Sequence, residues 1–598
     1  MNRLWKKRKE PATRGEGHPL AAKAGCVMSA AAARLKTGPF KASSAGRFLG
    51  SCVSPRATLA RMLLLSVMSG PWAQAQRGSQ LRFSLGADPK TFNPLLVADS
   101  ASETIRYLTG GVLVRLNRET QRLEPELATS WKVGRAGNSI TFMLRRNVRF
   151  SDGTPFTAED VAYTMRRLMD PALHSPTGDS FRSGPGTVVT RITGKNEITI
   201  TFPRAIVGLD KLFDQVAILP AHSPDKPDRE MAVLGPYYVA EDKPGSYLLL
   251  KRNPNYWKRD GQGNRQPYIE SIRIDIEENR EIEMLRLMRG QIDFVNSLDP
   301  ESYDRLQRQA PKMAYDAGVS LDSEQMWFNE VPNAPIASYK KAWFRSARFR
   351  RAISESINRA DLVRVVFRGH ARPAVSWISP ANKFWFDASL HPHLFDQKDA
   401  LRLMAEDGFR LQDGVLRDRA EHAVEFSVIT NAGNMERMRM AAMIQQDLAG
   451  IGIRLNVVTL DFSSLIDRIT RSFNYEACLL GLVNNDLDPD AQMNVWLSSA
   501  DNHQWNPNEK KPATAWEAEI DRLMRAQATT LDVKKRKQEV DEVEEIVWRE
   551  EPFIYLVNKD ALAGVSTRLR NVHPVALRPQ VYWNIDELWI AGGGGGRR

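Results

Sequence analysis

Three absences narrow the field before any residue pattern is read. The 598-residue chain has only three cysteines, and a single one, Cys478, lies beyond residue 52. No disulfide framework can therefore hold the body of the protein together. No run of about 18 apolar residues occurs, which leaves no candidate for a spanning helix. The body also lacks an excess of charge. Thirteen of the basic residues, against only Glu10 and Glu16, fall in the first 61 positions, so of the net +12 about +1 remains for everything downstream. A nucleic-acid binder carries its positive charge on the folded surface that tracks phosphates, and that class is excluded. Also missing are His-Glu-x-x-His, Gly-x-Ser-x-Gly and Gly-x-Gly-x-x-Gly; Gly261-Gln-Gly263 lacks a third glycine.

What is present begins with an export signal. Arg56 and Arg61 precede the short apolar run Met62-Leu-Leu-Leu-Ser-Val-Met68, and Ala73-Gln-Ala75 fits the small-residue cleavage rule. The expectation is a signal peptide over 56–75 and a mature start near Gln76. The basic, Ala/Gly/Ser-rich stretch 1–55 has no apolar period and reads as a disordered or untranslated leader. Leu49-Gly-Ser-Cys52 resembles a lipoprotein box but has no apolar segment before it, so a soluble periplasmic protein is expected, not a lipoprotein. The terminal glycine run, 592–598, reads as a flexible tail.

The folded part mixes strand and helix signals. Alternating strands are predicted at 81–85, 140–144, 197–202, 272–276 and 453–457. A helix over 280–289 should stop at Gly290. Within 423–457, a strand with Val424, Phe426 and Val428 on one face precedes a helix capped by Asn431 or Asn434. That helix carries Met435, Met438, Ala442 and Met443 at helical spacing, read as its core face. Another strand follows, so the segment is a βαβ unit with parallel strands. A charged amphipathic helix at 533–548 leads into the apolar run Pro552-Phe-Ile-Tyr-Leu-Val557. Ser151-Asp-Gly153 supplies turn chemistry, and Thr157 with Asp160 makes a capping-box-like pair.

The stretch Arg149-Phe-Ser-Asp-Gly-Thr-Pro-Phe-Thr-Ala-Glu-Asp-Val161 closely resembles the signature of the family 5 extracellular solute-binding proteins of ABC importers, the peptide, nickel and oligosaccharide binders. Further stations follow in order: Asp88-Pro-Lys-Thr-Phe-Asn-Pro94, Pro125-Glu-Leu-Ala-Thr-Ser-Trp131, Gly235-Pro-Tyr237, Asn253-Pro-Asn-Tyr-Trp257, Trp327-Phe-Asn329, Arg350-Arg-Ala-Ile353 and Gly481 through Asp488-Pro-Asp490. The resemblance runs from about Leu81 to Trp589. It implies an α/β, two-lobed fold of the type II periplasmic-binding (venus-flytrap) kind. Lobe one would span 76–322, with an inserted subdomain at about 110–232, and lobe two 323–550. The chain would return to lobe one over 551–591, with crossings near Ser320 and Pro552. The implied function is capture of a small solute or oligopeptide between the lobes and delivery to an ABC permease and ATPase, by a monomer with no cofactor. A secreted hydrolase and a ligand sensor for a membrane receptor are the alternatives.

The resemblance also marks site residues. In peptide-binding relatives an Asp in the Gly-Trp-x-x-Asp-x-x-Asp-Pro-Asp segment holds the ligand's amino terminus, because a charge-assisted hydrogen bond is strong once water is excluded. Here that place is taken by Asn485, with Asp486 one residue later and Leu482 in place of Trp. Either Asp486 takes the role or the ligand is uncharged there. Asp488 is a ligand candidate or the cap of a helix with Pro at its first position. Asp99, Ser100 and Ser102 fall where relatives present backbone and hydroxyls to ligand, or else cap a helix. Trp327 and Asn329 lie on a strand facing the cleft in relatives, with core packing as the other account. Arg350 reads as a structural ion-pair partner. His391-Pro-His393, the only close His pair, lacks further ligands at metal spacing and reads as a surface loop.

Overall fold

The computed structural model describes residues 79–591 apart from 182–185, 223–227 and 483–485. The expected leader, signal peptide and flexible tail, and Asn485, therefore lie outside the described residues.

The protein has two lobes. The first opens on the strand Gln80–Leu85, where alternation buries Leu81 and Phe83. It pairs in parallel with Ser271–Ile276, which continues antiparallel into the hairpin of Tyr247–Arg252 and Tyr237–Lys243. The helix Ser100–Thr109 and the segment around Val581, Tyr582 and Ile585 close one core over this sheet. A second antiparallel sheet orders its strands Ala128–Val133, Ser139–Leu144, Glu197–Thr201 and Val189–Gly194. It packs with the helix Ala158–Leu168 around Phe142, Phe150, Phe181 and Phe213.

The turn ahead of that helix follows its local chemistry. Oδ1 of Asp152 accepts from the Thr154 amide at 2.9 Å, and Gly153 takes φ +91°, a conformation glycine adopts without penalty. Oδ2 of Asp160 accepts from the Thr157 amide at 2.7 Å, fixing the first helical turn.

Lobe two is built on a larger sheet, ordered Phe294–Val295, Ile554–Val565, Ala314–Phe328, Ala477–Leu482, Glu425–Asn431 and Arg454–Leu460, with Ala371–Pro373 added to the side of Ile554–Val565. The last two strands run parallel and are joined through the helix Met435–Ala449, as the βαβ reading expected. Asn434 caps that helix. Its buried face is Met440, Ala441, Ile444 and Leu448, whereas Met435 and Met438 are 55% and 36% exposed. The methionine stripe is thus the wrong face. The buried stripe Met440, Ala441, Ile444 and Leu448 is turned around the helix from Met435, Met438 and exposed Ala442, with Met443 at its flank against the core.

The two longest strands, Ala314–Phe328 and Ile554–Val565, are antiparallel neighbours that serve both lobes. Ile554, Leu556 and Val557 pack in a lobe-two core, while Ala563 and Val565 belong to the lobe-one core. The second crossing therefore lies within 558–562, beyond Pro552. Register shifts interrupt the ladder between Asp316 and Val319, between Val319 and Ser323, and at Glu324–Gln325.

Helix Val533–Glu550 buries a carboxylic acid, Glu544, at 0% exposure. It accepts hydrogen bonds from the Ser376 hydroxyl and from the Asp387 amide. Burial pushes this group up to about 8, against the hydrogen bond of Ser376. A raised folded value means that the stability it contributes is complete below the unfolded carboxylate range and is lost as pH rises toward 8, by up to about 1.4 kcal/mol per pH unit. Glu544→Gln, neutral throughout, should match the parent at pH 5 and exceed it by at least about 1 kcal/mol at pH 8. Urea midpoints at the two pH values measure the difference; equal midpoints at pH 8 would contradict it.

Candidate functional site

Lobe one and lobe two touch along an apolar seam and a few polar contacts. Leu116 and Leu577 from lobe one cluster with Ala381 and Leu487 from lobe two and with Val319 and Leu321 of the crossing strand. Nε2 of Gln121 donates to the Ala381 carbonyl at 2.8 Å, Nζ of Lys211 lies 3.5 Å from Oδ2 of Asp488, and Arg578 pairs with Asp322 at 2.6 Å. Behind Leu116, Asp214 accepts from its amide and from the Arg118 guanidinium, both at 2.8 Å. On the lobe-two side a small cavity is lined by Trp377, Ser379, Asn382, Asp486, Leu487 and Gln492, among others. Asn382 holds this wall by donating to the Leu487 carbonyl at 2.7 Å.

Asp486 is the carboxylate that faces this crevice without a cation of its own. Among the described residues it forms no ion pair, and Oδ1 accepts only the Asp488 amide, at 2.8 Å. Burial pushes its carboxyl above the ordinary range; the charges of Asp488 and Asp214 add to that, and Lys211 opposes it. Asp488, two residues on, is fully engaged. Arg536 grips both of its oxygens, and Oδ1 also accepts the Asp490 amide at 3.1 Å, capping the short helix Pro489–Gln492. Burial acts to raise Asp488, but the guanidinium holds it below the usual range. Asp490 is pushed up to about 6, first by burial and then by the Asp488 charge.

The glycine that opens this segment has a packing reason. Gly481 pairs with Glu324 across the sheet. A Cβ there would stand 2.6 Å from a terminal nitrogen of Arg437 and 2.7 Å from Oε1 of Glu324. The ion pair of Glu324 with Arg437, at 2.7 Å, lies directly over the backbone, so a larger residue there would have to displace that pair.

The remaining sequence candidates are placed elsewhere. Asp99 caps the helix Ser100–Thr109, accepting from the Ala101 and Ser102 amides and from the Ser102 hydroxyl at 2.7 Å. The Ser102 hydroxyl in turn accepts the Thr91 amide, which ties the opening loop to the helix. Ser100 is exposed. Trp327 is wholly buried in lobe two, its indole donating to the Tyr475 hydroxyl at 3.2 Å. Asn329 is equally buried and donates to the Phe473 and Tyr475 carbonyls. Both are core residues rather than cleft residues, because the end of the strand Ala314–Phe328 is covered by the 473–475 segment. Arg350 pairs with Glu330 at 3.0 Å inside lobe two. His393 departs from the surface-loop expectation: it is buried, paired with Glu551 and packed at a tilt against the Trp548 ring.

Lys211, Gln121 and Asn382 carried no motif in the sequence. Each acquires its place only through a partner roughly 100 to 280 positions away.

Comparison with known proteins places the fold. The family model for bacterial extracellular solute-binding proteins, family 5 Middle, matches residues 122–504, well over half of the chain. A probable ABC transporter-binding protein of Deinococcus radiodurans is 24% identical over 555 residues, covering 85% of this chain and 91% of its own. The oligopeptide-binding protein AppA of Bacillus subtilis is 22% identical over 540 residues, covering 86% and 92%. The solved structure of that AppA in complex with a nonapeptide superposes with a TM-score of 0.67 over 87% of this chain and 100% of its own. NikA from Brucella suis, in complex with Fe(III)-EDTA, is 17% identical and reaches 0.72 over 86% and 99%. With its two lobes, the double strand crossing between them and this family match, the chain belongs to the bacterial extracellular solute-binding proteins of family 5, the binding components of ABC importers.

Proposed function

We propose that this protein captures a peptide-like solute by its free amino end, with Asp486 as the receiving carboxylate, and carries it to a membrane permease. The observation that carries this reading is the Asp486 carboxyl, which lines the small cavity on the lobe-two side and forms no ion pair among the described residues, Lys211 being paired to Asp488. An ammonium group placed there gains a charge-assisted hydrogen bond in a setting from which lobe closure removes water. Ligand contacts made by both lobes favour the closed arrangement over the open one, and closure is what a permease can discriminate. In this reading the second sheet, within about 110–232, is an inserted subdomain of lobe one. The chain is exported through the signal over 56–75, is not a lipoprotein, acts as a monomer and makes or breaks no bond.

Mass spectrometry of solute that co-purifies from the periplasm identifies the ligand, and calorimetry with that compound measures its binding. For a peptide with a free amino terminus, Asp486→Ala should weaken binding by about 10–100-fold, the worth of a hydrogen bond to a charged group. The N-acetylated analogue should bind parent and variant alike. An equal loss for both peptides, or no loss for either, would remove Asp486 from the role. A co-purified glycan, or a ligand released chemically altered, would overturn the peptide reading.

A further inference from the structure

Lobe two contains a second constellation, separate from the crevice wall. His503 follows the short helix Met493–Trp496 and is 1% exposed. Glu509 lies in the same loop, half-buried, and Glu517 is the third residue of the helix Ala515–Gln527, buried at 2% exposure. One ligand atom from each of the three lies within 4.8 Å of the others, and Nε2 of His503 stands 3.6 Å from Oε1 of Glu517.

The protons on His503 can be assigned. Its Nδ1 is 2.9 Å from the Val495 carbonyl. A carbonyl only accepts, so Nδ1 carries the hydrogen and Nε2 of the neutral ring presents a lone pair. That Nε2 is buried and has no hydrogen-bond partner. The groups it faces are carboxylate oxygens, which are acceptors as well. The carboxylates have donors of their own, but a buried Nε2 lone pair left facing them is costly unless a cation or a donor meets it. A proton on Nε2 answers this poorly, because 3.6 Å exceeds hydrogen-bond reach.

Each of the three groups is also oriented from behind. The Trp505 indole donates to Oε1 of Glu517 at 2.9 Å, and the Thr514 amide and hydroxyl both donate to Oε2 at 2.8 Å. The Ala513 amide donates to Oε2 of Glu509 at 2.8 Å, and the Asn506 side chain donates to Oε1. Backing hydrogen bonds of this kind set the tautomer and direction of metal ligands.

We propose that His503, Glu509 and Glu517 form a binding site for a divalent transition cation of the zinc type, which fastens the loop bearing His503 and Glu509 to the helix bearing Glu517. One imidazole and two carboxylates are a donor set that zinc accepts. Tetrahedral ligand atoms around zinc stand about 3.3 Å apart, so the His503–Glu517 separation needs to close by only a few tenths of an ångström. Half-buried Glu509 leaves the group within reach of solvent. The proposal is independent of the solute in the crevice.

The full chain, exported, purified, stripped with EDTA and dialysed, is titrated with zinc chloride by calorimetry, and with cobalt(II) by visible absorption. One equivalent should bind, cobalt should give bands of a low-coordinate site, and zinc should raise the melting temperature of the stripped protein. Glu509→Gln, at a half-exposed position that folding tolerates, and His503→Gln should each lose about 100-fold or more in zinc affinity. His370→Gln, in the other histidine–carboxylate group with Asp316 and Asp560, should bind as the parent does. Absence of saturable one-to-one binding, unchanged affinity in both Glu509→Gln and His503→Gln, or loss confined to His370→Gln would each overturn the proposal.

Discussion

Arg536→Met lowers the unfolding free energy by about 3–5 kcal/mol at neutral pH, the cost of leaving a buried charge without its partner. Arg536 is 3% exposed, holds both oxygens of Asp488, and is itself held by the Gln527 carbonyl and side chain at 3.0 Å. Its guanidinium also lies 4.8 Å over the Trp385 ring. Methionine replaces the stem but neither the fork nor the charge, and the partly exposed Lys211, at 3.5 Å, cannot substitute. Because the Asp488 value is depressed in the folded protein, the pair's contribution is present above the ordinary carboxylate range and is lost as pH falls through the depressed value. The deficit of the variant should therefore be full at pH 7 and shrink in acid. Adding Asp488→Leu to Arg536→Met should recover much of the loss, since an apolar pair of similar volume can replace a buried ion pair. Urea unfolding of the two single variants and the double variant supplies the cycle. A loss under about 1 kcal/mol for Arg536→Met would mean that the pair behaves as a solvated surface bridge.

Glu324→Leu should cost about 3 kcal/mol and disturb the place where the chain passes between lobes. Glu324 is 0% exposed and joins Arg437 of the lobe-two helix, at 2.7 Å, to Lys559 of the other crossing strand, at 3.0 Å. Burial alone would raise this carboxyl, yet Lys559 and Arg437 together hold it below the usual range. Without it two cations face each other beside Gly481. Glu324→Gln keeps the shape and part of the hydrogen bonding, so its loss should be smaller than that of leucine. Denaturant midpoints test the order; leucine at parity with the parent would show that the three charges are held apart by solvent.

Local chemistry made much of the fold legible in advance. The Asp152–Gly153 turn, the Thr157–Asp160 pair and the Asn434 cap each depend on groups a few positions apart, and each formed as read. The parallel pair around Met435–Ala449 followed from periodicity. The same periodicity misplaced the core face of that helix, because apolar residues stand on two sides of it and spacing alone does not say which side meets the sheet. The crevice was less legible. Asp486 stood out through its segment, but Lys211, the charged residue opposite it, comes from chain more than 250 positions distant, where no spacing rule reaches. Trp327 and Asn329 carried a family position whose side chains serve packing in this protein. The His503 group escaped notice because its three members are separated by loop and helix cap, at no spacing that marks a metal motif.

The core of lobe one joins the two ends of the sequence. Phe83, in the first strand, stacks on Tyr582 with ring centroids 5.8 Å apart, and both share one core with Val565 and Ile585. During synthesis the apolar face of the N-terminal strand is covered in stages, by Ile105 and Leu108 first, by Ile272 and Ile274 next, and by Val581, Tyr582 and Ile585 only when the end of the chain arrives. Lobe two waits over a shorter stretch, since its strand Ala314–Phe328 is completed by Ile554–Val565, which precedes the last segment of the chain. Maturation should therefore proceed from the middle outward, with the jaw nearest the N-terminus the last to set and the one most in need of a chaperone while it waits.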